Sequence, residues 1–388
     1  MQHEKKLKDS KNLSILAITL FILTYFPPLF KNTIEHCEAF SLNQSSSIDI
    51  YLAKLSIFFK IFLFLFLLKN INEVFNFVKE KILIFFIFYL FLLASVSSDI
   101  SYSVIIIFNW ILFLLLIYYF SKIYKLLFLK IIFIYLLLVV FLSSLDLFFD
   151  AFKNFSSYCY AWEGSPQLQK TGFANDKNLL GLYVFVINFI YIFNLSKHNS
   201  LRLIKLLLFI ISFLFLIYIN SIAALFALIL IYSLLIMPSN QKFFFINLSI
   251  IFFVILSIFL NLEFILSLFN RDLTLTGRVN IWSEIFALSD INLLFGQGPG
   301  IMAARLRDYQ TYVDSTYIYM LNDLGMIFTI MYFIWILKHI KNIYIIKSNI
   351  IFLVAILYAF IDTSVVIFSI SLINLLFLIN HFNENQQD

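Results

Sequence analysis

The chain holds 22 lysines but only five arginines: Arg202, Arg271, Arg278, Arg305 and Arg307. Four of the five fall within the 37 residues from Arg271 to Arg307. A guanidinium offers what an ammonium does not: a planar fork of donors that meets phosphate oxygens two at a time, and a charge that survives partial burial. Gathered arginine therefore points to an anion, phosphate above all. The stretch LTLTGRVNIWSEIF at 273–286 gives local support. Thr274 or Thr276 can cap a helix, and Val279, Trp282, Ile285 and Phe286 recur at helical spacing, so a short amphipathic helix is predicted to begin near Gly277. Arg278 then stands in its first turn, where the helix dipole disfavours a cation unless an anion covers the exposed N–H groups. An interfacial helix whose arginines meet lipid headgroups or nearby carboxylates explains the same residues without a substrate.

The elements that must position these residues are apolar. Hydrophobic residues make up 62% of the 388 and charged residues 13%. A soluble domain so poor in charge could not cover its surface. Apolar runs of about 18 residues, enough to span a hydrocarbon core of roughly 30 Å as a helix, recur along the chain. The expected fold is all-α: a polytopic membrane helical bundle, one integral membrane domain over residues 1–388. Its spans fall near 13–30, 51–68, 82–98, 104–120, 126–145, 178–195, 203–219, 221–237, 243–262, 316–337, 343–360 and 363–380. That gives about twelve transmembrane helices, with short joins at Asn220-Ser221 and Asp362-Thr363.

Lysine placement orients them. The N-terminal tail and alternate connections, from Lys69/Lys79/Lys81 to Lys338/Lys341/Lys347, carry 17 basic residues. The short connections on the other side carry only Lys31, beside Glu35, Glu38, Asp49, Asp99 and Asp362. By the positive-inside rule both termini are expected in the cytoplasm, and the basic tail needs no cleavable signal. Two long connections, 146–177 and 263–315, then lie outside. The second, between spans 9 and 10, is the large extracytoplasmic loop that carries the arginines.

Other patterns narrow the chemistry. GQGPG at 296–300 is a tight-turn sequence with no Gly-Lys-Ser/Thr after it, so it is no P-loop. IEHCE at 34–38 lacks a second ligand cluster, and no metal or other cofactor is expected. Cys37 and Cys159 both lie outside and could pair. There is no Asp-x-Asp pair for a divalent ion and a nucleotide sugar, and the cytoplasmic loops are too short for a nucleotide-binding domain. The net charge of +5 follows topology and is no nucleic-acid signal. Lys54, Lys60 and Asp323 are the main charges set within spans. Trp110, Trp162, Trp282 and Trp335 could anchor at interfaces, while Tyr158, Tyr160 and Trp162 in SSYCYAWEG could instead stack on sugars.

Four stretches carry a resemblance: TGFANDKNLLGLY at 171–183, NSIAALFALIL at 220–230, LTGRVNIW at 275–282 with LLFGQGPG at 293–300, and DSTYIYMLNDLGMIF at 314–328. In their order and their placement among the spans, they resemble the superfamily of O-antigen polymerases and O-antigen ligases. Those proteins are multi-span glycosyltransferases acting on undecaprenyl diphosphate-linked glycans at the outer face of the bacterial inner membrane.

The resemblance implies a sugar hydroxyl attacking an anomeric carbon while undecaprenyl diphosphate leaves. Arginines would then stabilise the charge that builds on the leaving group. Arg278, at the family's Gly-Arg position, is the first candidate for the diphosphate. Arg271, Arg305 and Arg307 follow as substrate-binding candidates, with Asn175, Asn178 and Trp282. Asp314 is the candidate base and Asp323 its runner-up, although Asp314 is equally explained as a helix cap over Ser315–Tyr317. Ligases usually carry Ser-Arg where this chain reads Asn220-Ser221-Ile222, and a histidine where it has Asp314. Both absences favour a polymerase joining lipid-linked repeat units, of O-antigen or capsule, over a ligase acting on lipid A-core. The implied partners are an undecaprenyl diphosphate-linked oligosaccharide, membrane lipids and, where the resemblance extends so far, a chain-length regulator protein. A flippase or other transporter is the non-enzyme alternative, and it should instead place charge near the middle of its spans.

Overall fold

The computed structural model describes residues 2–26, 47–149, 157–162, 165–170, 177–195, 202–219, 221–236, 290–299 and 316–340, with a few helical positions between 375 and 382. Helix dominates. The helices are α1 (Gln2–Tyr25), α2 (Ser47–Lys69), the short α3 (Ile71–Phe75), α4 (Lys81–Ser95), α5 (Ile100–Ile123), α6 (Lys125–Phe149), α7 (Lys177–Ile190), α8 (Arg202–Tyr218), α9 (Ile222–Ile236), α10 (Asp290–Phe295) and α11 (Thr316–Ile340). A π-helical turn, Tyr191–Leu195, extends α7. Nine of the expected spans thus correspond to helices. Those at 243–262 and 343–360 lie outside the described residues, and of 363–380 only a few positions are described.

Among the described residues, two helices are long and apolar enough to cross a membrane, α5 and α6. Large apolar side chains also face outward in stripes. On α2 these are Ile57, Ile61, Phe64, Leu65 and Leu68, and on α8 Leu203, Leu207, Ile210, Leu214 and Ile217. Both sets repeat at three and four residues, one helix face each.

One departure from an all-helical chain lies between α6 and α7. Strands β1 (Ser157–Trp162) and β2 (Ser165–Lys170) pair antiparallel as a hairpin, Trp162 opposite Ser165 and Ser157 opposite Lys170.

The chain forms two compact units. The first comprises residues 1–77 and 115–229. Its core is aromatic: Phe21 of α1 lies against Phe120 of α5 (5.8 Å between ring centres) and Phe128 of α6 (5.6 Å), and Phe120 meets Phe128 at 5.2 Å. Phe66 brings in α2 against Tyr119 at 5.4 Å, edge to face. The Tyr135 hydroxyl donates to the Phe26 carbonyl, just past the end of α1. Helices α7 and α9 approach closely, for a Cβ at Gly181 would collide with the Ser221 side chain and lie 2.8 Å from the Ala224 Cβ.

Two expectations change here. Asp146 was expected to begin the outer loop, but α6 continues to Phe149 and Asp146 is 1% exposed. It completes the inward stripe Phe128–Ile132–Leu136–Val139–Ser143, whose helical period runs on after its composition turns polar. Trp110, expected at an interface, is buried in the interior of α5.

The second unit comprises residues 78–114 and 230–388. Phe86 and Tyr89 of α4 pack on Phe328 of α11 at 5.1 and 5.5 Å, and α10 lies along α11. Among the described residues, this unit holds Asp323, one of the acids singled out from sequence, fully buried.

Candidate functional site

Helix α11 is interrupted at Gly325, which takes φ 79° and ψ 168°. That region of backbone space is open essentially to glycine alone. A break strands carbonyls that would have accepted bonds from the next turn, and buried carbonyls must find donors elsewhere. The turn after α10 supplies them. The Gln297 N–H donates to the Asn322 carbonyl at 2.9 Å, and the Gly298 N–H donates to the Asp323 carbonyl at 3.0 Å. GQGPG is therefore the turn its sequence promised, and it also caps the first half of α11 from a distant point in the chain.

Glycine is required on both sides of this joint. A Cβ on Gly296 (φ 85°) would lie 2.5 Å from the Asp323 carbonyl oxygen. A Cβ on Gly325 would lie 2.5 Å from the Gly296 nitrogen and the Leu294 oxygen. At Gly298 (φ 115°) it would come within 2.6 Å of the Ser97 Cβ. Two backbones meet with no room for a side chain between them.

A hydroxyl chain holds the other side of the turn. Ser103 Oγ donates to the Pro299 carbonyl at 2.9 Å and lies 2.9 Å from Ser97 Oγ. Because a carbonyl can only accept, Ser103 has committed its one proton, and Ser97 must be the donor between the two hydroxyls. Ser97 Oγ in turn accepts from the Asp99 N–H at 3.3 Å. Asp99 caps α5, its Oδ1 accepting from the Tyr102 N–H at 3.0 Å.

The joint also holds a buried acid, Asp323. It is 0% exposed, and its Oδ1 accepts from Asn322 Nδ2 at 2.7 Å. The carboxylate stands at the C-terminal end of the first half of α11, where the backbone carbonyls point. Such a group can take a proton from a hydroxyl, hold one, or face a cation. Gln297 brings a further polar atom, Oε1, which is buried with no hydrogen-bond partner among the described residues.

Of the residues singled out from sequence, the structure places Asp323 in this joint. Asn178 falls in the first turn of α7, in the other unit. Arg271, Arg278, Trp282, Arg305, Arg307, Asp314 and Asn175 lie outside the described residues, as does Cys37. Ser97, Ser103, Gln297 and Asn322 escaped the sequence reading. Their signal was the run Asn322-Asp323-Leu324-Gly325 inside an apolar segment, which reads as a helix stop. Among the described residues no group of three or more His, Cys, Asp or Glu side chains comes together. In the first unit, Asn188 Nδ2 donates to Ser212 Oγ at 2.8 Å, tying α7 to α8. No family model matches the chain, nor does any curated protein or solved structure.

Proposed function

We propose that the chain is a multi-pass glycosyltransferase of the bacterial inner membrane that polymerises lipid-linked repeat units of a surface polysaccharide. A hydroxyl of one repeat unit attacks the anomeric carbon of another. The new glycosidic bond forms as the bond to undecaprenyl diphosphate breaks, and the hydroxyl proton passes to a base. Asp323 is suited to that last role, and the arginines at 271, 278, 305 and 307 to holding the diphosphate as it gathers charge. One observation carries the reading: the Gly296–Pro299 turn lies inside the arginine-bearing segment and is bonded directly to the helix break that holds Asp323. Arg305 is six residues from Pro299, within about 21 Å of fully extended chain.

The test is purified protein with the host's undecaprenyl diphosphate-linked repeat unit, its products resolved by gel. A ladder from that substrate alone supports a polymerase. Product that appears only after lipid A-core is added makes the chain a ligase instead.

A second reading is favoured by the same break. Discontinuous helices that carry a buried carboxylate also build the substrate and ion sites of transporters. Asp146 adds a second buried acid in a helix of membrane length. Folded protein that builds no product with either acceptor, yet moves a lipid-linked glycan across proteoliposomes, would establish the transporter.

A further inference from the structure

The hairpin between α6 and α7 sorts its residues sharply by face. In an antiparallel pair, directly opposed residues share a face, and alternate residues along each strand return to it. The register opposes Tyr158 to Gln169, Tyr160 to Gln167 and Trp162 to Ser165. One face therefore holds three aromatic positions on β1, each matched to an amide or hydroxyl position on β2. The other face holds Ser157, Cys159 and Ala161 against Lys170, Leu168 and Pro166. The aliphatic residues and the only charge go to the second face. The first has no charge and no aliphatic residue.

We propose that the first face of this hairpin is a carbohydrate-binding platform. Aromatic rings take the C–H faces of pyranose sugars by dispersion, and amides and hydroxyls both donate to and accept from the ring hydroxyls around them. Sites that orient a small ligand combine these two kinds of group. Alternate strand positions are about 6.7 Å apart, so the aromatic row runs about 13 Å, the scale of a short oligosaccharide. The absence of charge on this face selects the neutral sugars of the substrate rather than its diphosphate. The identity of that glycan rests on the polymerase reading; the platform itself does not.

Calorimetric titration of the full-length protein in zwitterionic nanodiscs tests this. The probe is the free oligosaccharide released by mild acid from the host's lipid-linked repeat unit. Tyr160→Ala should weaken binding about tenfold, and Gln167→Ala should weaken it in the same direction. Leu168→Ala, on the opposite face, should stay within about twofold of wild type. Melting curves of each variant ensure that folded protein is compared. Wild-type protein that does not bind the free sugar overturns the platform, as does equal loss on both faces. So does a Tyr160→Ala protein that keeps its sugar affinity while brominated lipids quench its tryptophans less than in wild type, which would make the aromatic face a bilayer anchor. Sugar binding without a polymerisation ladder would sink the polymerase reading alone; a ladder without sugar binding would sink the platform alone.

Discussion

Replacing Gly325 with alanine tests the helix-break joint at its tightest point. Alanine there must hold φ 79° and ψ 168°, at a conformational cost of about 3 kcal/mol. The new Cβ would also lie 2.5 Å from the Gly296 nitrogen and the Leu294 oxygen, both backbone atoms that cannot rotate aside. The turn must therefore withdraw, and the Asn322 and Asp323 carbonyls lose the N–H groups of Gln297 and Gly298. Each buried carbonyl left without a donor costs about 1–3 kcal/mol. The sum, about 5–9 kcal/mol, is comparable to the whole stability of a typical domain. Gly181→Ala is the comparison, because φ is ordinary there and one of its close neighbours, Ser221 Oγ, can rotate away. Its two remaining overlaps, each 2.8 Å, to the Ala224 and Ser221 Cβ atoms, are worth about 1–3 kcal/mol. Thermal unfolding in detergent, followed by the loss of the monodisperse peak on size exclusion, should show Gly325→Ala collapsing many degrees below Gly181→Ala. If the two variants melt together, the turn does not clamp the break and the account of the joint is wrong.

Ser103→Ala should destabilise by about 1–3 kcal/mol, since it removes the hydroxyl donor to the Pro299 carbonyl and the acceptor for Ser97; the same melting assay reads it. Asn188→Leu removes the bond to Ser212 but fills the site with apolar volume, so its loss should be smaller than that of Asn188→Ala, and the order of the two midpoints checks this. Under the polymerase reading, Arg278→Ala should abolish long-chain glycan at unchanged protein level and topology, and normal chain length on a gel would remove the diphosphate role. Asp323→Asn should likewise stop chain growth, because an amide cannot accept the hydroxyl proton; a full ladder from this variant would leave Asp323 as a structural group only.

The helices were legible because their signal is local. Boundaries such as Ser95 and Tyr218 fall within a few residues of where composition alone puts them, whereas α1 begins at Gln2, eleven residues before its apolar run, because helix continues through the lysine-bearing tail. Asp146 shows where this fails. Composition turns polar at Ser143-Ser144-Leu145-Asp146, but the helical period does not, and the period governs which side chains are buried. The hairpin was missed for a related reason. SYCYAW is aromatic throughout the positions that alternate, so as a line of sequence it looks like a loop with anchors; only its pairing partner SPQLQK gives it two unlike faces.

The helix break was half legible: Asn322-Asp323-Leu324-Gly325 reads as a helix stop, but nothing along the chain shows what meets it. The Asp323 carboxylate takes its donor from the neighbouring Asn322 side chain, while the broken helix leaves the Asn322 and Asp323 backbone carbonyls needing donors from elsewhere. What the sequence could not show is that the turn of the arginine-bearing segment returns to the same point, because pairing between Gln297 and Asn322 leaves no periodic trace. Once that pairing exists, the three glycines acquire a single cause: Gly296 and Gly325 let two backbones touch, and Gly298 clears Ser97. Had the turn been a free surface loop, glycine at 296 and 298 would have been a matter of turn geometry alone, and Gly325 would have been an uncompensated defect in a long apolar helix. The clamp makes the defect stable, and a stable defect lets a carboxylate be buried at a fixed place inside a largely apolar helix.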